Sequence, residues 1–300
     1  MSQVTVRVPG TTANCGPGFD AVGIACSIYN EIKLTLLPGR SNQIEIIGQG
    51  KGQIPCDDRN IAVQAVKRVF EQLGQPVQAV SLTLINNIPL ARGLGSSAAA
   101  IVGGLVAANA ATGSTLSTQE LIDLATEMEG HPDNVAPALM GGICLSVMHP
   151  SGTKTLTFPS PDKLQLVVAV PDFTLSTKIS RKVLPRTVFM KDAVFNISRT
   201  ALLVGALARG ELSYLAYALE DKIHQPYRQK LIPGMEDAFA AAKENGALGA
   251  TISGAGPALM AYTTQNADLI GQAMAKAFAR KGKQALYHIL HVDTTGAQII

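Results

Sequence analysis

A glycine- and serine-rich segment in the first half of the chain carries the residues most suited to chemistry. Gly93 and Gly95 stand two residues apart, and Ser96 and Ser97 follow them before an alanine-rich run. Glycine lets a backbone lie against a ligand with no Cβ in the way. The first N–H groups of a helix have no partner within the helix, and the helix dipole favours an anion beside them. The segment is therefore a candidate phosphate-binding loop.

Comparison with other glycine and serine motifs leaves three interpretations of this segment. A Walker A loop needs a lysine that is absent, and no G-x-S-x-G elbow supports serine hydrolysis. The spacing of Gly93, Gly95 and Ala98 matches a dinucleotide fingerprint, which would indicate an oxidoreductase. Residues 86–92 intervene after the strand, however, and a second helix starts at Ser117 where that fold needs a strand. Taken alone, the segment is a phosphate loop, a weak dinucleotide loop or a structural turn.

The composition describes a compact protein with small-molecule ligands. Of the 300 residues, 47% are hydrophobic and 16% are charged, which is too apolar for disorder. The longest apolar run, residues 98–108, is far shorter than the roughly 20 residues of a membrane span. The net charge of +3 lacks a basic block, and the four cysteines and five histidines form no ligand cluster. We expect a cytoplasmic protein with no metal cluster, nucleic-acid partner or membrane partner.

Hydrophobic periodicity predicts the elements that position the loop. Strands are expected near residues 4–8, 32–36, 44–46, 82–84, 143–148, 166–170, 249–262 (two strands around a glycine turn) and 285–292. Helices are expected from an N-cap at Asp57–Asp58 to Gly74, and over residues 96–113, 117–128, 131–141, 192–209, 211–222 and 268–280. This mixture indicates an α+β protein. A composition change near residues 150–161 indicates two domains, 1–155 and 156–300.

Three segments, in this order, resemble the motifs of the GHMP small-molecule kinases. They are Pro9–Asp20, the loop segment Pro89–Ala99 and Ser253–Pro257. Glu129–Pro137 and Gln225–Arg228 further resemble the homoserine-phosphorylating branch of that family. The resemblance implies an N-terminal half like ribosomal protein S5 domain 2 and a ferredoxin-like C-terminal half, with ATP between them. It also implies that a homodimer phosphorylates the hydroxyl of L-homoserine in threonine biosynthesis.

The resemblance assigns the ATP and Mg²⁺ ligands. The phosphates would contact residues of the loop, namely Pro89, Leu90, Ala91, Arg92, Gly93, Leu94, Gly95, Ser96, Ser97, Ala98 and Ala99. Ser97 and Glu127 would hold Mg²⁺, with Ser96 and Glu129 as alternatives. Helix spacing alone instead places Glu127 on a solvated acidic stripe. The resemblance favours the metal role for Glu127.

The resemblance also assigns the homoserine site, which needs groups of both charges. Arg181 and Arg228 would grip the carboxylate, since a guanidinium can do so bidentately. Asp20 would face the ammonium and would be the base if one is used. Three polar side chains would complete the site: Asn14, His131 and Asn134. The predicted catalytic residues are Asp20, Asn14, Ser97 and Glu127.

Two other functions fit the same motifs. One is a kinase that acts on a mevalonate-type alcohol. That substrate has no ammonium group, so the enzyme would not need Asp20. A silent metabolite sensor should have lost a phosphate-binding or Mg²⁺-binding residue, whereas Gly93, Gly95, Ser97 and Glu127 are all present.

Overall fold

The computed structural model describes residues 3–39 and 41–300 and contains two β-sheets flanked by helices. The strands are β1 Val4–Ala13, β2 Val22–Leu37, β3 Gln43–Gly48, β4 Ala79–Asn86, β5 Ile143–His149, β6 Gly152–Phe158, β7 Gln165–Pro171, β8 Gly249–Ile252, β9 Leu259–Thr263, β10 Ala285–Leu290 and β11 Gln298–Ile299. The α-helices are α1 Ile61–Gln72, α2 Ser96–Ala111, α3 Thr118–Glu129, α4 Pro132–Met140, α5 Thr177–Lys182, α6 Met190–Arg209, α7 Leu215–Ala218, α8 Gln225–Arg228, α9 Met235–Glu244 and α10 Ala267–Arg280. Short 3₁₀ turns cover Leu212–Tyr214 and Gln229–Leu231.

The first sheet has seven strands and packs against α2, the helix that follows the phosphate loop. Its order is β11-β1-β2-β4-β3, with β5 paired to β2 and β6 paired to β5. Helix α2 packs against β1 and β2 because Gly103 has no side chain: a Cβ there would lie 2.1 Å from Cδ1 of Ile32. Gly104 permits a similar approach to α1, where a Cβ would lie 2.7 Å from the Ala62 carbonyl. The two glycines therefore set the position of α2, whose first turn follows the loop.

The second sheet has the antiparallel order β10-β7-β9-β8. Alternate residues of β7 face opposite sides, as the period of a strand requires. Leu166 and Val168 join the core shared with the first half, and Val167 joins a separate cluster with Met274 and Phe278 of α10. One face of this sheet therefore packs towards the first half, and the other is covered by helices.

The α+β class is confirmed, with one half like ribosomal protein S5 domain 2 and one ferredoxin-like half. Several local expectations are wrong. Asn60, not Asp57–Asp58, caps α1, because its side chain accepts the Ala62 N–H. The helix expected over 211–222 is only a 3₁₀ turn followed by α7. Five of the strands and α-helices were not predicted: β6, α5, α8, α9 and β11. Among the described residues, no helix is long and apolar enough to cross a membrane.

The pairing of β6 favours a division between the two halves slightly later than residue 155. A boundary after residue 155 would cut β6, which pairs with β5 along its whole length up to Phe158. The last strand, β11, returns to pair with β1 of the first sheet. We therefore propose the division after Phe158, with the C-terminal residues rejoining the first half.

Candidate active site

The phosphate loop ends at a helix terminus whose N–H groups are free of side-chain caps. Gly95 is the N-cap residue of α2, has φ 71°, and makes no side-chain cap hydrogen bond. Ser96 and Ser97 occupy the first helical positions, so neither serine is the N-cap. Gly95 also packs closely, since a Cβ there would lie 2.0 Å from Oγ1 of Thr11. The terminus offers unpaired N–H groups and positive dipole potential to an anion.

The loop is held by the glycine motif of the C-terminal half. A Cβ on Gly93, which has φ 81°, would lie 2.1 Å from the Ser253 carbonyl. The Ser253 hydroxyl donates to the Gly93 carbonyl at 2.7 Å, and the Ala258 N–H donates to the Arg92 carbonyl at 3.1 Å. These contacts join residues far apart in sequence, so both halves of the chain build the loop. Two of the three family-like motifs therefore meet directly.

The third motif, Pro9–Asp20, meets the loop through the Thr11 N–H, which donates to the Leu94 carbonyl at 3.0 Å, and meets the C-terminal glycine motif through Asn14. Asn14 has φ 69°; its Nδ2 donates to the Gly254 carbonyl at 2.9 Å and its Oδ1 accepts the Asp20 N–H at 3.0 Å. The nitrogen and the oxygen of the Asn14 side-chain amide are thus both hydrogen-bonded to main-chain atoms. Asn14 orients Asp20 and fixes the motif against the second half.

The Mg²⁺ ligand expected at Glu127 is not part of this site. Its carboxylate pairs with Arg68 at 2.7 Å and its side chain is 64% exposed, in line with a solvated stripe. Glu129, the last residue of α3, instead accepts a hydrogen bond from the Ser97 hydroxyl at 3.1 Å and lines the cavity. Burial raises the pKa of Glu129, although nearby His131 and Ser97 oppose the shift. Of the two candidate glutamates, Glu129 therefore lies beside Ser97, and Glu127 does not.

A cavity of about 380 Å³ lies beside the loop and contains the predicted polar groups. At one wall, Arg181 donates two hydrogen bonds to Asp20, at 2.7 and 3.0 Å. Both side chains are about a third exposed. The geometry is the bidentate arrangement that makes Arg–carboxylate pairs strong and directional. The positive and negative groups expected for a zwitterion are thus adjacent and paired with each other.

Arg228 lines the same cavity but has a different environment. It is 1% exposed, and it donates to the carbonyls of Ser180 and Gly254 and to Nδ1 of His224. No carboxylate of a described residue forms an ion pair with it. Burial, with help from the charge of Arg181, lowers the pKa of Arg228 to about 10. A buried guanidinium held only by neutral groups is suited to bind an anionic ligand.

The same cavity also carries a histidine–aspartate pair. Nδ1 of His131 lies 2.6 Å from Oδ1 of Asp133, which is 1% exposed. Burial alone would lower the pKa of His131, but the hydrogen bond and charge of Asp133 raise it above 6.5. Asn134 accepts the hydroxyl proton of Thr11 at 2.8 Å and donates to Asp133 at 3.3 Å. Asp20, His131 and Asp133 offer ligand atoms within 4.8 Å of one another, contrary to the expectation that no histidine joins such a cluster.

Most of the predicted site residues line the cavity, but not all. The following do: Asn14, Asp20, Pro89, Leu90, Ala91, Arg92, Gly93, Leu94, Gly95, Ser96, Ser97, His131, Asn134, Arg181 and Arg228. Ala98 and Ala99 do not line the cavity, because their side chains are fully buried in the core. Arg92 is directed to backbone: its guanidinium donates to the carbonyls of Leu90, Pro171 and Asp172.

Sequence reasoning missed three residues near the ligand cavity. Asp133 lies inside the segment Glu129–Pro137 that signalled the family, and its position beside His131 was a usable signal. His224 directly precedes Gln225–Arg228, yet a single histidine gives no spacing pattern. Asn60 also lines the cavity, and was overlooked because an aspartate pair nearby was a plausible helix cap. His224 and Asn60 needed the tertiary structure.

Two family models match this chain. Residues 60–142 match the GHMP kinases N terminal domain, and residues 203–280 match the GHMP kinases C terminal domain. The first match includes the phosphate loop and Glu129, and the second includes Arg228 and the glycine motif at Ser253–Pro257. The chain belongs to the GHMP kinase family.

Several homoserine kinases of this family are similar to the chain over nearly its full length. A homoserine kinase of Moorella thermoacetica is 49% identical over 98% of this chain and 99% of its own length. One from Desulfitobacterium hafniense is 43% identical over 99% of this chain and 100% of its own length. The crystal structure of homoserine kinase from Cytophaga hutchinsonii has a TM-score of 0.92 and 33% identity, covering 100% of this chain and 98% of that one.

Proposed function

We propose that this protein is an ATP:L-homoserine O-phosphotransferase, which produces O-phospho-L-homoserine for threonine biosynthesis. The observation that carries the substrate assignment is the buried Arg228, which pairs with no carboxylate of the described residues, beside the Asp20–Arg181 pair in one cavity. Homoserine has a carboxylate, an ammonium and a hydroxyl, so it needs groups of both charges. Near full-length likeness to homoserine kinases supports the same activity.

ATP is proposed to bind with its phosphates at the start of α2. The backbone of Gly93–Ser97 provides the cradle, because a side chain at either glycine would collide with neighbouring atoms. Ser97 and Glu129 supply a hydroxyl and a carboxylate 3.1 Å apart, and these hard oxygen ligands fit Mg²⁺. When bound, Mg²⁺ neutralises charge on the phosphates. Ser97 and Glu129 would hold it, and Glu127 would not.

Homoserine is proposed to bind between the arginines and Asp20. Arg228 and Arg181 hold the carboxylate, and Asp20 faces the ammonium after exchanging part of its contact with Arg181. His131 and Asn134 border the remaining space, and Asn14 acts by orienting Asp20. Because Arg181 engages both oxygens of Asp20, this carboxylate is better placed to balance charge than to accept a proton. The reaction then depends on positioning the hydroxyl and neutralising the phosphates, which can supply about 7–11 kcal/mol of a barrier.

A substrate panel tests the proposal most directly. ADP release would be followed by a coupled assay with homoserine, mevalonate, galactose and threonine as acceptors, each with ATP and Mg²⁺. We expect homoserine to have the highest kcat/KM. Mevalonate lacks the ammonium, so a preference for mevalonate would overturn the role of Asp20 and the homoserine assignment. If the protein binds NAD and does not bind ATP, that result would instead support the oxidoreductase interpretation.

The assembly is proposed to be a cytoplasmic homodimer. Exposed apolar side chains on β5, β6 and α6 support a covered surface: Met148, Leu156 and Ile197 are 62%, 63% and 68% exposed. Light scattering of the purified protein should give twice the mass of one 31.4 kDa chain. A monomer at micromolar concentration would contradict this part of the proposal.

A further inference from the structure

His224 is a buried histidine that none of the roles above uses. It immediately precedes α8, the helix that carries Arg228, and its side chain is 0% exposed. It contacts three parts of the site. Nδ1 lies 3.2 Å from Nη1 of Arg228, Nε2 lies 2.7 Å from the Gly16 carbonyl, and the ring stacks on Phe19 at 5.1 Å between centroids.

These partners determine the tautomer. A guanidinium has only donors, so Nδ1 of His224 must be the acceptor in its contact with Arg228. Nε2 therefore carries the proton and donates it to the Gly16 carbonyl. Asp221 does not compete for that proton, because its Oδ2 lies 3.6 Å from Nε2, beyond hydrogen-bond range. The ring is thus the neutral Nε2–H form, and burial favours the same form by lowering the pKa of His224.

Asp221 holds His224 in place through the backbone instead. Its carboxylate accepts the N–H groups of Ile223, His224 and Gln225, at 2.9, 3.0 and 2.6 Å. These bonds fix the turn that leads into α8. The histidine side chain is therefore anchored before it meets Arg228.

The two ring contacts join the guanidinium to the Pro9–Asp20 motif. Arg228 is otherwise held by the carbonyls of Ser180 and Gly254, and its Nη2 donates to no atom of the described residues. Those two carbonyls come from the second half of the chain. Towards the first half, the guanidinium lies 5.4 Å from the centroid of the Phe19 ring, and His224 provides a hydrogen-bonded link through the Gly16 carbonyl. A guanidinium that must grip a planar carboxylate needs a fixed orientation, since bidentate binding is directional.

We propose that His224 is a positioning residue for substrate: as a neutral acceptor it fixes the Arg228 guanidinium relative to Asp20, and so sets the affinity for the homoserine carboxylate. This inference rests on the proposed function of the site. It assigns no direct contact with homoserine to His224. Its effect should reach the amino-acid site and leave the nucleotide site unchanged.

Three substitutions separate the two ring contacts. His224→Leu removes both hydrogen bonds, His224→Gln can keep a donor near the Nε2 position, and His224→Asn can keep an acceptor near the Nδ1 position. Steady-state assays would give kcat and the KM values for homoserine and ATP, and thermal unfolding would report folding. We expect His224→Leu and His224→Gln to raise the homoserine KM by about tenfold, as for loss of a hydrogen bond to a charged group.

The pattern of rescue distinguishes positioning from stability. We expect His224→Asn to restore most of the homoserine KM, with the ATP KM close to wild type in all three variants. Equal KM changes for homoserine and ATP, or equal defects in all three variants that follow the loss of thermal stability, would overturn the positioning role. If a variant does not fold, homoserine binding to the other two by calorimetry decides between these outcomes. A wild-type enzyme without homoserine activity would instead defeat the proposed function itself.

Discussion

Replacing Glu129 by glutamine is the sharpest test of the proposed Mg²⁺ site. Glutamine has nearly the same shape and can still accept the Ser97 hydrogen bond, now 3.1 Å long. The change therefore removes a negative charge and leaves the packing in place. Glu127→Gln is the matched control, because that residue lies two positions earlier on the same helix and pairs with Arg68 at the surface.

The expected effect of Glu129→Gln on kcat/KM for MgATP follows from the charge of the carboxylate and its burial. Two unit charges 4 Å apart interact by about 4 kcal/mol at an effective dielectric constant of 20. That figure corresponds to about a thousandfold in rate or affinity, and solvent and the remaining ligand Ser97 reduce it. We expect kcat/KM for MgATP to fall about 100-fold in Glu129→Gln. The exposed Glu127–Arg68 pair is worth at most about 1 kcal/mol of stability, so Glu127→Gln should be close to wild type.

The assay is a titration of Mg²⁺ at saturating homoserine, followed by coupled ADP release. Glu129→Gln should need more Mg²⁺ for half-maximal activity, whereas Glu127→Gln should follow the wild-type curve. Circular dichroism and thermal unfolding control for folding. The opposite ranking, with Glu127→Gln impaired and Glu129→Gln normal, would falsify the geometric assignment and return the ligand role to Glu127.

Three further perturbations follow from the structure. Arg228→Lys should raise the homoserine KM at least about tenfold with little change in the ATP KM, because lysine cannot grip a carboxylate bidentately; equal effects on both would refute the assignment. Gly93→Ala should cost at least about 1–3 kcal/mol in chemical denaturation and weaken ATP binding, since a Cβ at φ 81° meets the Ser253 carbonyl; a stable variant with normal ATP affinity would contradict this. For His131 the pKa in the folded state is raised, because Asp133 outweighs burial. Its stabilising effect is therefore complete below the unfolded pKa of about 6.5 and is lost as the pH rises through the folded pKa, so His131→Gln should remove this part of the pH dependence of unfolding; identical pH profiles would count against it.

The order and type of the three motifs can be recognised from the amino-acid sequence alone. Gly93, Gly95 and the helix after them indicated a candidate phosphate loop, because glycine conformations and free helix N–H groups are local properties, and the family resemblance favoured it over a dinucleotide loop or a structural turn. The α+β class followed from hydrophobic periodicity, which is also local. The family resemblance then located Asp20, Arg181 and Arg228, and the structure places all three in one cavity.

The choice between Glu127 and Glu129 depended on the tertiary structure. The two residues differ by about 200° around a helix of 3.6 residues per turn, so only one can face Ser97. Sequence spacing to His131 does not set the phase of α3 against α2. In the structure α3 ends at Glu129, with Gly130 at φ 87°, and the carboxylate reaches the loop.

The sequence alone thus determined which chemical groups are present and which local turns carry them. Only the tertiary structure decided their partners, because those contacts join residues more than a hundred positions apart. Arg181 meets Asp20, Ser253 meets Gly93, and His224 meets Gly16, each across the two halves of the chain. A local pattern has no information on such pairs, and the packing of the two sheets around a shared core brings them together.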